Sequence, residues 1–145
     1  MSDIDKSRVL AESALGSELD KAECDVLATK MGIQALHAGE TLVREGEARR
    51  TLFVLAEGRL NVCKQVGGNE ETVYQMRIGE CAGTRAFIDG SVRKAALCAD
   101  TDGTVLTLEP EAFESLIDSQ PRLVYKLMRA IFRITHANLM RVNLE

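Results

Sequence analysis

The sequence predicts a mainly β domain with helices at both ends, and three observations carry that reading. Between Ile33 and Glu109 apolar residues fall in short runs broken by glycine, the pattern of strands joined by tight turns. Two of the breaks, Glu57-Gly58 and Gly67-Gly68-Asn69, are too short for a crossover, so the strands they join are antiparallel hairpins. Before Ile33 and after Pro110 the apolar spacing changes to three and four, the period of a helix. Several short strands at regular spacing suggest a sandwich or jelly roll. The chain, 1–145, reads as one domain with a helical lead over 5–31, strands over 33–109 and C-terminal helices over 110–144.

The elements follow in order. A weak helix is expected near Lys6 to Leu15. Ser17 and Asp20, followed by Leu19, Ala22, Val26 and Leu27, predict a capped amphipathic helix running to about Met31. Strands are expected over 41–44, 51–55, 59–66, 72–78, 94–99 and 104–108. In the third of these, Leu60, Val62 and Val66 alternate with Arg59, Asn61 and Gln65, so one face is buried and Lys64 interrupts the inner row. Pro110, at a first helical position, opens a short helix carrying Phe113, Leu116 and Ile117. Ser119 or Gln120 then caps a long helix from Pro121 to about Asn143. Its apolar stripe of Leu123, Leu127, Ile131 and Ile134, flanked by Val124, Met128 and Phe132, is broader than one packing face requires. A second partner for this helix is therefore expected, either another copy of the chain, with Asn138 in the seam and Leu144 closing it, or another protein.

Composition narrows the function classes. With 46% hydrophobic and 28% charged residues the chain falls among soluble globular proteins. No run of eighteen apolar residues exists, and the start lacks the order of a signal peptide, so a cytoplasmic location and no membrane partner are expected. A net charge of −4 and the end of the chain after its final helix give no support to nucleic acid as a partner. Cys24, Cys63, Cys81 and Cys98 lie far apart without a Cys-x-x-Cys pair, which argues against a zinc site and for reduced packing residues.

One stretch points to a ligand. Gly79-Glu80-Cys81-Ala82-Gly83-Thr84-Arg85-Ala86-Phe87 is followed, six positions on from Phe87, by Arg93-Lys94-Ala95-Ala96-Leu97. With two glycines that free the backbone, a short turn over Ala86-Phe87-Ile88 and an arginine at fixed distance, it looks like a phosphate-binding cassette. The stretch, with Ala38-Gly39-Glu40, Glu45-Gly46-Glu47 and Phe53 to Leu60 ahead of it, resembles the cyclic-nucleotide-binding domains of catabolite activator protein and protein kinase A regulatory subunits. The resemblance runs from about Ser17 to the end of the chain. It implies an antiparallel double-stranded β-helix, a jelly-roll-like β-roll, and a site built from Gly83, Thr84, Arg85, Ala86, Arg93, Lys94 and Ala95. It also implies that Arg93 pairs with the phosphate of cAMP or cGMP, as a guanidinium fork suits.

One position departs from the family pattern. Thr84 stands where the family carries the glutamate that grips the ribose 2′-hydroxyl. A hydrogen bond to a charged acceptor contributes roughly 1.5–3 kcal/mol, so its loss weakens a nucleotide about ten- to a hundredfold. Arg85 either reaches the site or turns to solvent or a local carboxylate. Two functions follow: a regulatory ligand-binding module that signals through its last helix, or a dimerisation scaffold that has lost its nucleotide. The sandwich enzymes that hold a metal with a His-x-His pair are a poor match, since His37 and His136 stand alone and no Gly-x-Ser-x-Gly motif is present. No catalytic residue and no metal ligand are expected.

Overall fold

A computed structural model describes residues 4–142, in the order α1 (Lys6–Ala11), α2 (Lys21–Ala28), β1 (Gly32–Leu36), β2 (Thr41–Val43), β3 (Leu52–Glu57), β4 (Leu60–Val66), β5 (Asn69–Met76), β6 (Cys81–Ala82), α3 (Thr84–Asp89), β7 (Ala96–Ala99), β8 (Gly103–Leu108), α4 (Pro110–Glu114) and α5 (Pro121–Val142). The strands form two antiparallel four-stranded sheets, ordered β1-β8-β3-β6 and β2-β7-β4-β5. Their inner faces enclose Phe53, Leu55, Leu60, Met76, Leu97 and Val105. A second core lies on the other face of the first sheet, where Leu52, Val54, Leu106 and Leu108 meet Leu10, Leu27, Phe87, Leu123 and Leu127 of the helices. The first sheet is thus covered on both sides, which explains why β3 is apolar without alternation.

Several expectations shift at their edges. The first helix stops at Ala11 rather than Leu15. The second begins only at Lys21, because Asp20 and Glu23 form a reciprocal capping box and Ser17 takes no part in it. The strand expected over 72–78 runs over 69–76, since the tight turn needs only Gly67 and Gly68, both at positive φ. Val66 is 46% exposed rather than on a buried row, because the β4–β5 hairpin runs beyond the core. Cys63, on the opposite side of the strand, is 5% exposed. A register shift between Val62 and Cys63 pairs Val62 with Tyr74 and Cys63 with Thr72, leaving Val73 as the extra residue. Ile117 is exposed rather than in the core.

The final helix matches its expected stripe and extends it. Leu123, Leu127, Ala130, Ile131 and Ile134 are buried, whereas Tyr125, Met128, Phe132 and Met140 are exposed. Gln120 precedes the helix, its carbonyl accepting from Val124 N at 3.0 Å. Lys126 reaches back to Glu23 at 2.8 Å and ties the helix to the N-terminal lead. Leu144, expected to close the seam, lies outside the described residues. None of the described helices is long and apolar enough to cross a membrane.

Candidate functional site

The site begins at a two-strand contact. β6 pairs with β3 through Phe53–Ala82 and Val54–Cys81, which delivers Gly83 to the end of the first sheet. Gly83 turns there at φ 89° and starts α3. A side chain could not replace it: a Cβ would collide with Arg93 Nη1 and stand 2.8 Å from the Thr51 carbonyl oxygen. At the other end of α3 the Arg50 guanidinium donates to the carbonyls of Ala86 at 3.1 Å and Phe87 at 2.9 Å. Arg50 therefore satisfies the chain-end oxygens that the short helix leaves open. Phe87 packs edge-on against Phe113 with centroids 5.3 Å apart, which fixes α3 on α4.

Arg93 is held from two sides. Its amide donates to the Glu47 carbonyl at 2.9 Å and its own carbonyl accepts from Gly46 N at 2.7 Å. The side chain is only 6% exposed. Nη2 donates to Thr51 O at 2.5 Å, and the guanidinium carbon lies 5.5 Å from the Phe53 ring centroid. Among the described residues, Arg93 Nε is the buried side-chain nitrogen without a hydrogen-bond partner. Burial first, and the neighbouring Arg49 charge second, pull its pKa below the usual arginine value. A buried cation with an open donor is the electrostatic mark of an anion site.

Gly83, Thr84, Arg85, Ala86, Arg93, Lys94 and Ala95 all line one cavity of about 140 Å³. Thr84 and Ala86 are buried, Gly83, Arg85 and Ala95 half-buried, and Lys94 is exposed. Arg85 lines the cavity while its charge also reaches Asp89, whose carboxyl is held low first by the Ser91 hydroxyl and amide and then by Arg85. The two directions considered for Arg85 are therefore not exclusive.

Sequence reasoning missed the far wall. Val62, Tyr74 and Leu97 of the second sheet and Thr135, Asn138, Leu139 and Arg141 of α5 complete the lining. Thr135 and Arg141 draw α5 onto the site. Thr135 Oγ1 lies 2.7 Å from Thr84 Oγ1 and 2.8 Å from the Ile131 carbonyl oxygen. A hydroxyl has one proton, so when Thr135 donates to Ile131 it accepts from Thr84. Further along, Arg141 Nη1 stands 3.4 Å from Glu80 Oε2, and the guanidinium sits 4.8 Å from the Tyr74 ring centroid. Tyr74 donates to the same carboxylate at 2.8 Å; burial, and then that bond, raise the phenol's pKa. The helical periodicity of α5 announces a packing face, yet which residues overhang the cassette depends on where the helix docks.

The family model for the cyclic nucleotide-binding domain matches residues 33–120. The chain belongs to that family. A cGMP-dependent protein kinase of Caenorhabditis briggsae is 30% identical over 112 residues, covering 74% of this chain and 15% of the kinase. The chain thus spans about one seventh of that relative's length. Among solved structures, a cyclic nucleotide-binding domain from Methylobacillus flagellatus superposes with a TM-score of 0.84 at 21% identity, covering 94% of this chain and 78% of that one. The regulatory subunit of a cAMP-independent protein kinase A from Trypanosoma brucei superposes with a TM-score of 0.77 at 21% identity, covering 97% and 48%. These likenesses show the double-stranded antiparallel β-roll with flanking helices.

Proposed function

We propose that this domain is a non-enzymatic regulatory module that takes an anionic ligand of the cyclic nucleotide class, cAMP or cGMP, at the Gly83–Arg93 cradle. The observation that carries the reading is Arg93, buried at 6% exposure with an unpartnered Nε beside a cavity. A phosphate set against it replaces the missing partner and offsets the desolvated charge. Gly83 lets the ligand's oxygens approach the backbone, since no Cβ intervenes.

The output is the last helix. A cavity of about 140 Å³ is smaller than the roughly 300–1,000 Å³ of small-molecule sites, and lifting α5 from Thr84 and Glu80 would enlarge it for a nucleotide. That movement re-aims the exposed stripe of Tyr125, Met128, Phe132 and Met140, which is suited to a second copy of the chain or to a partner protein. Binding would then act by shifting the balance between two placements of α5.

A second reading is supported by Thr84. Its hydroxyl is engaged by Thr135, and the carboxylate that the family uses for the ribose is absent at this position. On that reading the pocket has lost its nucleotide, and α5 alone acts as a dimerisation scaffold. Calorimetric titration with cAMP, cGMP and a cyclic dinucleotide, beside an Arg93→Met variant, separates the two. Saturable binding lost in the variant is the expected result; no heat up to millimolar ligand would overturn the sensor and leave the scaffold.

A further inference from the structure

The outer face of the second sheet carries a feature that the ligand cavity does not explain. Cys63 on β4 and Cys98 on β7, far apart in sequence, come together because β4 and β7 are hydrogen-bonded neighbours, with Asn61 opposite Cys98 and Cys63 opposite Ala96. The two cysteines are diagonal on one face, and Glu70 joins them from β5. The two sulfur atoms and a Glu70 carboxylate oxygen all lie within 4.8 Å of one another. The register shift at Val62–Cys63 produces this arrangement, since it brings Thr72, and with it Glu70 two residues away, onto the face that Cys63 occupies. Thr72 Oγ1 is 3.7 Å from Cys63 Sγ, and Thr41 Oγ1 is 3.9 Å from Cys98 Sγ.

We propose that Cys63, Cys98 and Glu70 form a binding site for a thiophilic divalent cation of the zinc type, on the opposite side of the sheet from the ligand cavity. Two thiolates and one carboxylate are a donor set that zinc accepts, whereas calcium and magnesium require oxygen donors throughout. Zinc–sulfur bonds of about 2.3 Å at tetrahedral angles place two sulfurs about 3.8 Å apart. Closing the observed group therefore needs movements of at most about 1 Å, within reach of side-chain rotation. Cys63 is buried, Cys98 half-buried and Glu70 exposed, so the carboxylate marks the entry side and a water can fill the fourth position.

Binding needs no redox step. Each thiol loses its proton to solvent as its sulfur forms a bond to the cation, the carboxylate donates a third pair, and the metal stays divalent. The ion would clip β4, β5 and β7 together. Val62 and Leu97, the chain neighbours of Cys63 and Cys98, line the ligand cavity from the inner face, so the clip would stiffen that wall. Spacing along the chain argued against zinc; strand pairing supplies the proximity that spacing hid.

The test uses the whole chain, reduced with a phosphine and freed of metal, titrated with Cd²⁺ and followed by the sulfur-to-metal charge-transfer absorption in the ultraviolet. Zn²⁺ affinity is then read by competition with a chromogenic chelator. The expected result is one equivalent of Cd²⁺ per chain, loss of the plateau absorption in Cys98→Ser, and Zn²⁺ binding at least tenfold weaker in Glu70→Gln. Cys98 is half-buried and Glu70 exposed, so folding, checked by circular dichroism, does not depend on replacing buried Cys63. Zn²⁺ should also shield Cys98 from alkylation in the unaltered chain. Absence of stoichiometric absorption, a Cys98→Ser titration matching the unaltered protein, or unchanged Zn²⁺ affinity in Glu70→Gln would overturn the site.

Discussion

Replacing Thr84 by glutamate tests the cavity reading most directly, because it installs the carboxylate that the family pattern requires at the position where this chain lacks it. Thr84 is 3% exposed, at the start of α3, and borders the cavity of about 140 Å³, into which a longer side chain can extend. A carboxylate that accepts from a ribose hydroxyl contributes roughly 1.5–3 kcal/mol, which is about ten- to a hundredfold in affinity. A millimolar complex would thus tighten to about 10–100 μM. The substitution also removes the Thr84–Thr135 bond of 2.7 Å, a neutral contact worth about 1 kcal/mol. The melting temperature should fall by about 2–4 °C as the affinity rises. The assay is calorimetry with cAMP and cGMP on the native chain, Thr84→Glu and Thr84→Gln, the last giving a smaller gain because its acceptor is neutral. A folded Thr84→Glu variant that binds neither nucleotide more tightly would refute the assignment of position 84 to the ribose.

The other predictions bear on the helix, the arginine and pH. Thr135→Val keeps the shape of the side chain but removes both of its hydrogen bonds, so amides in the last turns of α5 should exchange several-fold faster, measured by hydrogen–deuterium exchange. Arg93→Met removes a buried, incompletely bonded charge, so in the absence of ligand the variant should be more stable by on the order of 1 kcal/mol in urea unfolding, while nucleotide binding is lost. Glu23 has its carboxyl held low, first by the hydrogen bond from Lys126 and then by the Asp20 amide. Its folded pKa lies below the ordinary 4.5, so its contribution to stability is present above that pH and lost as pH falls through the folded value. Glu23→Gln should accordingly be destabilised at pH 7, with the difference from the native chain shrinking below pH 4.5, as followed by thermal melts across pH.

What could be read from the sequence, and what could not, divides along physical lines. Hairpins over Gly58 and Gly67-Gly68 and the buried stripe of α5 are local patterns, and the structure places each where period and turn chemistry put it. Strand β1 carried little signal, because only Leu36 of its five residues is buried and its role is to edge β8. Strand β6 is two residues long and exists only because β3 offers it a partner. Arg50, the C-terminal clamp on α3, looks like any charged loop residue until the chain folds it under Ala86 and Phe87. The α5 half of the site and the Cys63–Cys98 pair share this property: each depends on a contact between elements distant in sequence.

The closed placement of α5 also sets a bound on how strongly this domain can signal. Its ties to the cassette region are the neutral Thr84–Thr135 bond, the partly exposed Arg141–Glu80 pair and the Arg141 contact with the Tyr74 ring. Taken singly these are worth about 1, 0–1 and 0.5–1 kcal/mol, and such neighbouring contacts do not add strictly. Breaking these ties costs about 1.5–3 kcal/mol, or a factor of about 10–150 in the population of the open form. A ligand that needs the open form loses that factor in apparent affinity, and the missing ribose carboxylate removes about ten- to a hundredfold more. Both deficits fall on the same pocket. A compensating gain can come from Arg93, which is already desolvated and has an unpartnered Nε. The domain is consequently tuned toward a ligand whose charge outweighs its sugar, and selectivity between nucleotides should follow phosphate placement before base or ribose.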